Sequence, residues 1–419
     1  MSPVFGRRSG QLFVEEVPLA AIAEMAGTPV YVNSAGGMRA QARALIDAFA
    51  GQDVQVCYAV KANHHLAILK LFASLGLGMD TVSGGEIARA LKAGCPPERI
   101  VFAGVAKDDD EMRQGLRHDI WQFNVESIEE LRRLDQVAQT LGTRARVALR
   151  VNPNVAAGGH DKISTGRKGD KFGVPVENAV SILGEAARMP GIEPVGLHCH
   201  IGSQITELAP FEAAYLRVIE AWKAVRQSGV PITRIDFGGG FGVHYREAPN
   251  FTIADYAAMV KRITTGLGAK LVLEPGRFLV AEQAVLLTRV IYLKETGEHR
   301  FLVLDAGMNT LIRPAMYGAW HDIEPVGIPG AELAPTEVVG PICESSDFFA
   351  RGRMLPRMVE GDLVAIMQAG AYGRVMASDY NSRPGPAEVM VDGDQFDVIT
   401  RRRPVEKQYE DEVIPPWLG

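Results

Sequence analysis

Cysteine is scarce in this 419-residue chain. Cys57, Cys95, Cys199 and Cys343 lie far apart and form no Cys-x-x-Cys pair, so neither a disulfide framework nor a thiolate zinc site is expected. Such a pattern suits a reducing cytoplasm, the expected location. Basic blocks are missing as well. With 44 Lys plus Arg against 50 Asp plus Glu the net charge is −6, which argues against nucleic acid as a main partner. The first residues, Met1-Ser-Pro-Val-Phe-Gly-Arg-Arg8, lack the apolar run of a signal peptide. No apolar stretch is long and uninterrupted enough to span a bilayer, so no membrane partner is expected. Low-complexity tracts and strong short repeats are also absent. What the chain does have is 47% hydrophobic residues, enough for a large core, at a length that fits two domains or one large barrel with an appendage.

Short apolar runs alternate with helical patterns through the first two thirds of the sequence. Strands are expected at 54–60, 78–82, 100–103, 120–124, 146–152, 195–200, 234–237 and 271–274. Between them lie amphipathic stretches at His65–Leu75, Glu86–Ala93, Ile128–Leu141, Asn178–Arg188, Phe211–Ser228 and Ile253–Leu267, with Ser127 and Asp255 placed to cap helices. Strand–helix alternation implies a parallel sheet, and eight units imply a closed (β/α)8 barrel over 28–276 rather than an open doubly wound sheet. After Arg277 the helical period fades. Strand patterns at 280–305, Glu337–Val339, Asp362–Met367, Glu388–Val391 and Phe396–Ile399 predict a mainly β domain over 277–419, joined by residues 1–27, which carry a strand-like Gln11–Val14. The Gly-rich, charged segment Asn154–Gly173 reads as a lid or as surface disorder.

In such a barrel, chemistry gathers at the C-terminal ends of the strands. The first strand ends in Tyr58-Ala-Val-Lys61-Ala-Asn63. A lysine at the tip of a buried strand is a nucleophile toward aldehydes once burial lowers its pKa; the competing reading is a lysine that flanks the strand and points to water. The second ends at Asp80 and Ser83-Gly-Gly-Glu86, the fifth at Arg150 and Asn152, and the sixth in His198-Cys-His200-Ile-Gly-Ser203-Gln204. The seventh ends in Gly238-Gly239-Gly240-Phe-Gly242, whose backbone N–H groups and following helix suit a phosphate, with Ser203 as an added donor; tight turns alone would also use glycine. The eighth ends in Glu274-Pro275-Gly276-Arg277. Glu274 suits a pyridine nitrogen, or a structural ion pair with Arg277. His200 suits stacking on an aromatic cofactor, or simple packing. His-x-His also suggests a metal, but no third ligand shares the spacing.

Lysine, phosphate cradle, stacking imidazole and acid together describe a site for pyridoxal 5′-phosphate. Over nearly its whole length the chain resembles the diaminopimelate decarboxylases, of the alanine-racemase-like class of pyridoxal-phosphate enzymes. The resemblance rests on the motifs above together with Met308-Asn-Thr-Leu-Ile-Arg-Pro-Ala-Met-Tyr317, Gly340-Pro-Ile-Cys-Glu-Ser-Ser-Asp347, Gly370-Ala-Tyr-Gly373 and a loop with Ile163-Ser-Thr-Gly166 and Lys171-Phe-Gly173. It implies decarboxylation of meso-2,6-diaminopimelate to L-lysine. Lys61 resembles the Schiff-base lysine and His200 the ring-stacking histidine. Ser203, Gly238, Gly239 and Gly240 resemble phosphate ligands, and Glu274, Pro275, Gly276 and Arg277 fall in a cofactor-binding motif. Arg277, Arg313 and Tyr317 resemble binders of substrate carboxylate. Cys343 resembles the acid that protonates the carbanion, Glu344 the partner of the distal amine, and Tyr372 a residue shared by cofactor and substrate. The resemblance also implies a homodimer in which Cys343 and Glu344 reach the partner's barrel. Its rivals are a decarboxylase of ornithine, arginine or carboxynorspermidine, an amino-acid racemase, and a catalytically silent binding protein on the same scaffold. A substrate with only a distal amine has no need of Arg313 and Tyr317, and a racemase has little use for the Cys343 segment.

Overall fold

The computed structural model describes residues 4–156, 171–297 and 299–419. Most of the candidate lid, including Ile163–Gly166, lies outside them. The chain forms two units: residues up to Met38 with Val280–Gly419, and Arg39–Leu279.

The second unit is a barrel of eight parallel strands, numbered here in chain order: β1 Val54–Ala59, β2 Gly78–Thr81, β3 Ile100–Phe102, β4 Gln122–Val125, β5 Ala145–Asn152, β6 Ile192–His198, β7 Arg234–Asp236 and β8 Lys270–Leu273. Each pairs with its neighbour, and β8 pairs with β1 to close the ring. All eight expected strands are present, with ends shifted by a few residues. β6 starts early because a register irregularity between Pro194 and Gly196 lets Ile192–Pro194 pair with β5.

Helices fill the crossovers, and their starts are written in the sequence. Ser127 accepts from the Glu130 N–H at 3.1 Å and caps Ile128–Thr140. At Ile253–Thr264 the cap is Thr252, and Asp255 is its reciprocal partner three residues on, not the cap itself. Asp108 and Glu111 form the same box at Asp109–Arg117, a helix that sequence reading passed over.

Side chains alternate along each strand, so one set faces the helices and the other the barrel axis. In β4, Phe123 and Val125 join the apolar shell while Gln122 and Asn124 hydrogen-bond within the interior. In β7, Ile235 is apolar and Arg234 and Asp236 share that polar interior. The barrel axis is therefore polar from Arg234 to Asp236.

The other unit is a mixed sheet in the order Phe348–Pro356, Leu333–Val339, His299–Leu304, Ala284–Thr296, Val30–Ser34, Ala387–Asp392 and Gln395–Thr400. Leu363–Ile366 pairs with both Ala284–Thr296 and Ile323–Pro325. Gln11–Val14 lies in a separate three-stranded sheet with Phe5–Arg8 and Val17–Pro18. Sequence reading set the domain borders at 27/28 and 276/277; the units divide at 38/39 and 279/280. The physical reason at the first border is Val30–Ser34, a wholly buried strand antiparallel to Ala284–Thr296 and parallel to Ala387–Asp392. Two apolar clusters, around Leu286, Leu302 and Ile366 and around Leu19, Val32 and Val389, hold this unit together.

Candidate active site

Lys61 sits in a short 3-10 turn directly after β1, with its Nζ 3.3 Å from Asp80 Oδ2 at the end of β2. Asp80 is fully buried, whereas the Lys61 side chain is about one third exposed. Burial, with Glu274 nearby, pushes the Asp80 carboxyl up to about 7, even though Lys61 pulls the other way. A second lysine, Lys107, follows β3. Its amine is spent on the carbonyls of Gly104 and Asn124, at 2.7 and 2.8 Å, and on Glu130 at 2.6 Å.

Glu274 closes β8 in the polar interior. Its Oε2 lies 3.1 Å from His198 Nε2 on β6, and its Oε1 accepts from Asn124 Nδ2 on β4 at 3.1 Å. Burial alone would raise its pKa, but His198 and Lys61 outweigh burial and bring it down to about 2. Asp236, hydrogen-bonded to Glu274, moves well above the usual carboxylate range, through burial and the Glu274 charge. Asp236 thus favours its protonated form and Glu274 its anion. His198 Nδ1 has no hydrogen-bond partner among the described residues, so the ring is held through Nε2 on Glu274. No Glu274–Arg277 ion pair forms among the described residues.

Sequence spacing offered no third metal ligand. The fold does bring three ligand types together, because His198, Asp236 and Glu274 present atoms within 4.8 Å of one another, without His200. His198 Nε2 is already bonded to Glu274 Oε2, and Asp236 to Glu274.

His200 follows β6 and is half-buried, with Nδ1 accepting from the Gly239 N–H at 3.3 Å. Burial first, then the charges of Lys61 and Arg150, push its pKa well below the usual value, so the imidazole is neutral. A flat neutral ring suits stacking on an electron-poor heterocycle.

The glycine run is required by space. A Cβ on Gly238 would collide with the Cys199 carbonyl oxygen, and one on Gly239 with that of Glu274; on Gly240 it would lie 2.6 Å from the Gly202 carbonyl oxygen. Gly238 and Gly240 also have φ of +63° and +116°. Ser203 Oγ accepts from Arg277 Nη2 at 3.1 Å, and Arg277 Nη1 donates to the Tyr245 hydroxyl at 2.9 Å. Gln204 ties the loop after β6 to the loop after β7 through both its amide oxygen and nitrogen on Val243. Pro275 O accepts from the Ala59 N–H, which fixes Glu274–Arg277 against β1. Lys61, Asp80, His200, Ser203, Gly238–Gly240 and Glu274–Arg277 thus all lie on the barrel unit. An amine for an aldehyde, a neutral ring, a bare-backbone cradle and a buried anion fit pyridoxal phosphate.

The remaining candidates lie on the β unit. Arg313 is buried and opens the short helix that Tyr317 ends. Cys343 and Glu344 are exposed on a turn that Asp347 staples, its buried carboxylate accepting from the Met308 and Ile342 N–H groups at 2.6 Å each. Glu344 accepts from Ser346 and is hydrogen-bonded to Tyr380; the Cys343 N–H donates to Asn381 at 3.0 Å. Tyr372 has φ of +56°, a left-handed backbone that a bulky residue keeps only under constraint.

Sequence reading missed Asn124, Gln122 and Asp236. The available signal was the polar alternation in Gln-Phe-Asn-Val and Arg-Ile-Asp. Residues 36–281 match the family model described as pyridoxal-dependent decarboxylase, pyridoxal binding domain. The chain is similar to the diaminopimelate decarboxylase of Zymomonas mobilis, 47% identical with 99% of each chain covered. It is also similar to that of Pseudomonas aeruginosa, 47% identical with 98% of this chain and 99% of the relative covered. The solved diaminopimelate decarboxylase of M. jannaschii in complex with L-lysine superposes with a TM-score of 0.94, at 37% identity and 99% coverage of both chains.

Proposed function

The chain belongs to the diaminopimelate decarboxylases, pyridoxal-phosphate-dependent carboxy-lyases that convert meso-2,6-diaminopimelate to L-lysine and CO2, and from that premise we propose how its own residues perform the reaction. The observation that carries the assignment is the Lys61–Asp80 contact in the same polar interior as the Glu274 anion. Bound pyridoxal phosphate supplies a protonated ring that takes up the electrons left when CO2 departs. Lys61 is the amine for its aldehyde. Asp80 holds that amine in place. Glu274 keeps the ring nitrogen protonated, and His198, Asn124 and Asp236 keep Glu274 ionised and aimed. His200 covers one face of the ring. The Gly240 N–H and the Ser203 hydroxyl would hold the phosphate in the turn Gly238–Gly240, where the Gly238 N–H already donates to Asp236 and the Gly239 N–H to His200, with Arg277 bonded to Ser203.

Substrate recognition falls to the β unit. Arg313 and Tyr317 bind the carboxylate that is not lost, and Glu344 meets the amine beside it. A planar guanidinium suits a carboxylate because two N–H groups match two oxygens. Cys343 returns a proton to the carbon that has lost CO2. We place this chemistry in a homodimer in which Cys343 and Glu344 of one subunit serve Lys61 of the other; their exposure on a stapled turn supports this reading. No described helix is long and apolar enough to cross a membrane, and the four cysteines are unpaired, which supports a cytoplasmic location.

The test is CO2 release from purified protein with pyridoxal phosphate and meso-diaminopimelate, lysine, ornithine or arginine. Turnover is expected on meso-diaminopimelate alone. Comparable rates on ornithine or arginine would overturn the assigned specificity.

A further inference from the structure

We propose that His321 is a positioning residue for substrate recognition: as a hydrogen-bond acceptor, it aims the Arg313 guanidinium at the retained carboxylate. This rests on the reading of Arg313 given above.

Two contacts fix the state of the fully buried His321 ring. His321 Nδ1 lies 2.8 Å from the Met367 carbonyl oxygen, and His321 Nε2 lies 2.8 Å from Arg313 Nη1. A carbonyl oxygen only accepts, so the proton sits on Nδ1. A guanidinium only donates, so Nε2 must carry a lone pair. Both contacts are satisfied by a single state of the ring, the neutral Nδ1–H tautomer. The ring thus converts a backbone acceptor into an acceptor for a charged side chain.

The surroundings hold this ring in place. The Met367 N–H donates to Asp322 O at 2.8 Å, continuing the ladder in which Ile323 faces Ile366. Asp322 also accepts from Trp320 Nε1 at 2.9 Å and from Gln368 Nε2 at 3.0 Å. The Arg353 guanidinium covers the Trp320 ring at 3.3 Å and donates to His321 O at 3.0 Å. On the other side, Gly318 ends the Arg313–Tyr317 helix in a left-handed conformation, with φ of +60°, and turns the chain back so that residue 321 meets residue 313. A guanidinium has several donors in a fixed fork, so fixing one N–H fixes the direction of the rest.

The arrangement separates binding from turnover. Removing the acceptor takes away the contact that fixes the direction of a buried guanidinium, which then turns from its aim. The substrate then loses a pre-aimed fork while Lys61 and Cys343 are untouched.

The experiment uses the full-length enzyme with pyridoxal phosphate and compares His321→Asn, His321→Gln and Arg313→Ala. An asparagine amide can replace Nδ1 on Met367 but is too short to reach Arg313; a glutamine oxygen can replace Nε2. His321→Asn is expected to raise KM for meso-diaminopimelate at least about tenfold, with kcat within about twofold of wild type. Inhibition by L-lysine, which keeps the carboxylate, should weaken in parallel, and inhibition by cadaverine, which lacks it, should not change. His321→Gln should restore KM to near the wild-type value. His321→Asn added to Arg313→Ala should have no further effect on KM. If Arg313→Ala raises KM and weakens L-lysine while His321→Asn does neither, the positioning role is overturned and the reading of Arg313 stands. If Arg313→Ala itself leaves KM and L-lysine inhibition unchanged, the reading of Arg313 fails first. If His321→Gln is as impaired as His321→Asn, or cadaverine inhibition weakens as much as that by L-lysine, His321 serves the fold and not the carboxylate.

Discussion

Replacing Gly239 by alanine tests how the cradle and the Glu274 anion depend on one backbone position. Gly239 is not in the left-handed region, so alanine is tolerated by φ and the effect is purely one of space. The added Cβ meets the Glu274 carbonyl oxygen well inside any contact distance, and the Glu274 carbonyl carbon at 3.1 Å. Both obstacles are backbone, so no rotamer change relieves them. The carbonyl must withdraw by roughly 1 Å to reach ordinary contact. The Glu274 N–H donates to Gly238 O at 2.7 Å, which ties both sides of the clash into one loop. A shift of that size would carry the Glu274 carboxylate out of reach of His198 and Asn124, each now at 3.1 Å. Overpacking costs about 1–3 kcal/mol, and weakening two hydrogen bonds to a charged group adds to it, so about 2–5 kcal/mol of stability should be lost. Misplacing a catalytic group by about 1 Å is worth a further ~100-fold in kcat. The control is Gly184→Ala, in the helix Ala179–Ala186, where the Cβ meets nothing within 4 Å; it should be neutral or stabilising by up to about 1 kcal/mol. Urea unfolding, titration of pyridoxal phosphate and steady-state kinetics of both variants measure this. Gly239→Ala with the wild-type unfolding midpoint, cofactor affinity and kcat would refute the reasoning.

Three other outcomes follow from the same geometry. Lys61→Ala should abolish turnover and covalent cofactor attachment, because Lys107 is held by Glu130 and two carbonyls; a borohydride-fixed adduct on the mutant, seen by mass, would sink the assignment. Asp80 binds its proton up to about 7 when folded but only near 3.8 when unfolded, so its contribution to stability is full below about pH 4 and is lost as pH rises toward 7. In the cofactor-stripped protein, Asp80→Asn should therefore gain up to about 3 kcal/mol on wild type between pH 4.5 and 7, read from urea midpoints, and a constant difference across that range would contradict the shift. Finally, if the proposed homodimer shares its sites, mixing Lys61→Ala with Cys343→Ala under verified subunit exchange should restore part of the activity, because a mixed dimer would keep one intact composite site; no recovery would place Cys343 within its own chain or remove it as donor.

Much of the barrel was legible because its signal is local. A run such as Val54–Ala59 ends in Lys61 within a single short window, and helices such as Asp109–Arg117, Ile128–Thr140 and Ile253–Thr264 have their caps beside them. The eight strand positions and the residues at their tips follow from that. Val30–Ser34 was not legible, because nothing in five residues says that their partners lie some 250 and 350 positions away. The polar barrel axis was visible in part: Gln122 and Asn124 alternate with apolar neighbours, but a polar residue in a strand usually faces water, and only closure of the sheet turns that face inward. Arg313 could be named as a candidate from the motif around it. His321 could not, since its tautomer is set by the carbonyl of Met367, 46 residues further on.

The central place of Val30–Ser34 also sets a timetable. On the ribosome this strand emerges before both of its neighbours, one of which starts at Ala284 and the other at Ala387. At about 5–20 residues per second, the 353 residues from Ser34 to Ala387 take roughly 18–70 s to make. For the first 250 of those residues, up to Ala284, neither edge of Val-Tyr-Val-Asn-Ser has its partner, while every strand of the barrel can be finished and closed; the edge that pairs with Ala387–Asp392 waits for the whole interval. Shielding those five residues from other nascent chains is then a requirement of synthesis, and a polar substitution at Val30 or Val32 would trade aggregation during translation against the finished sheet.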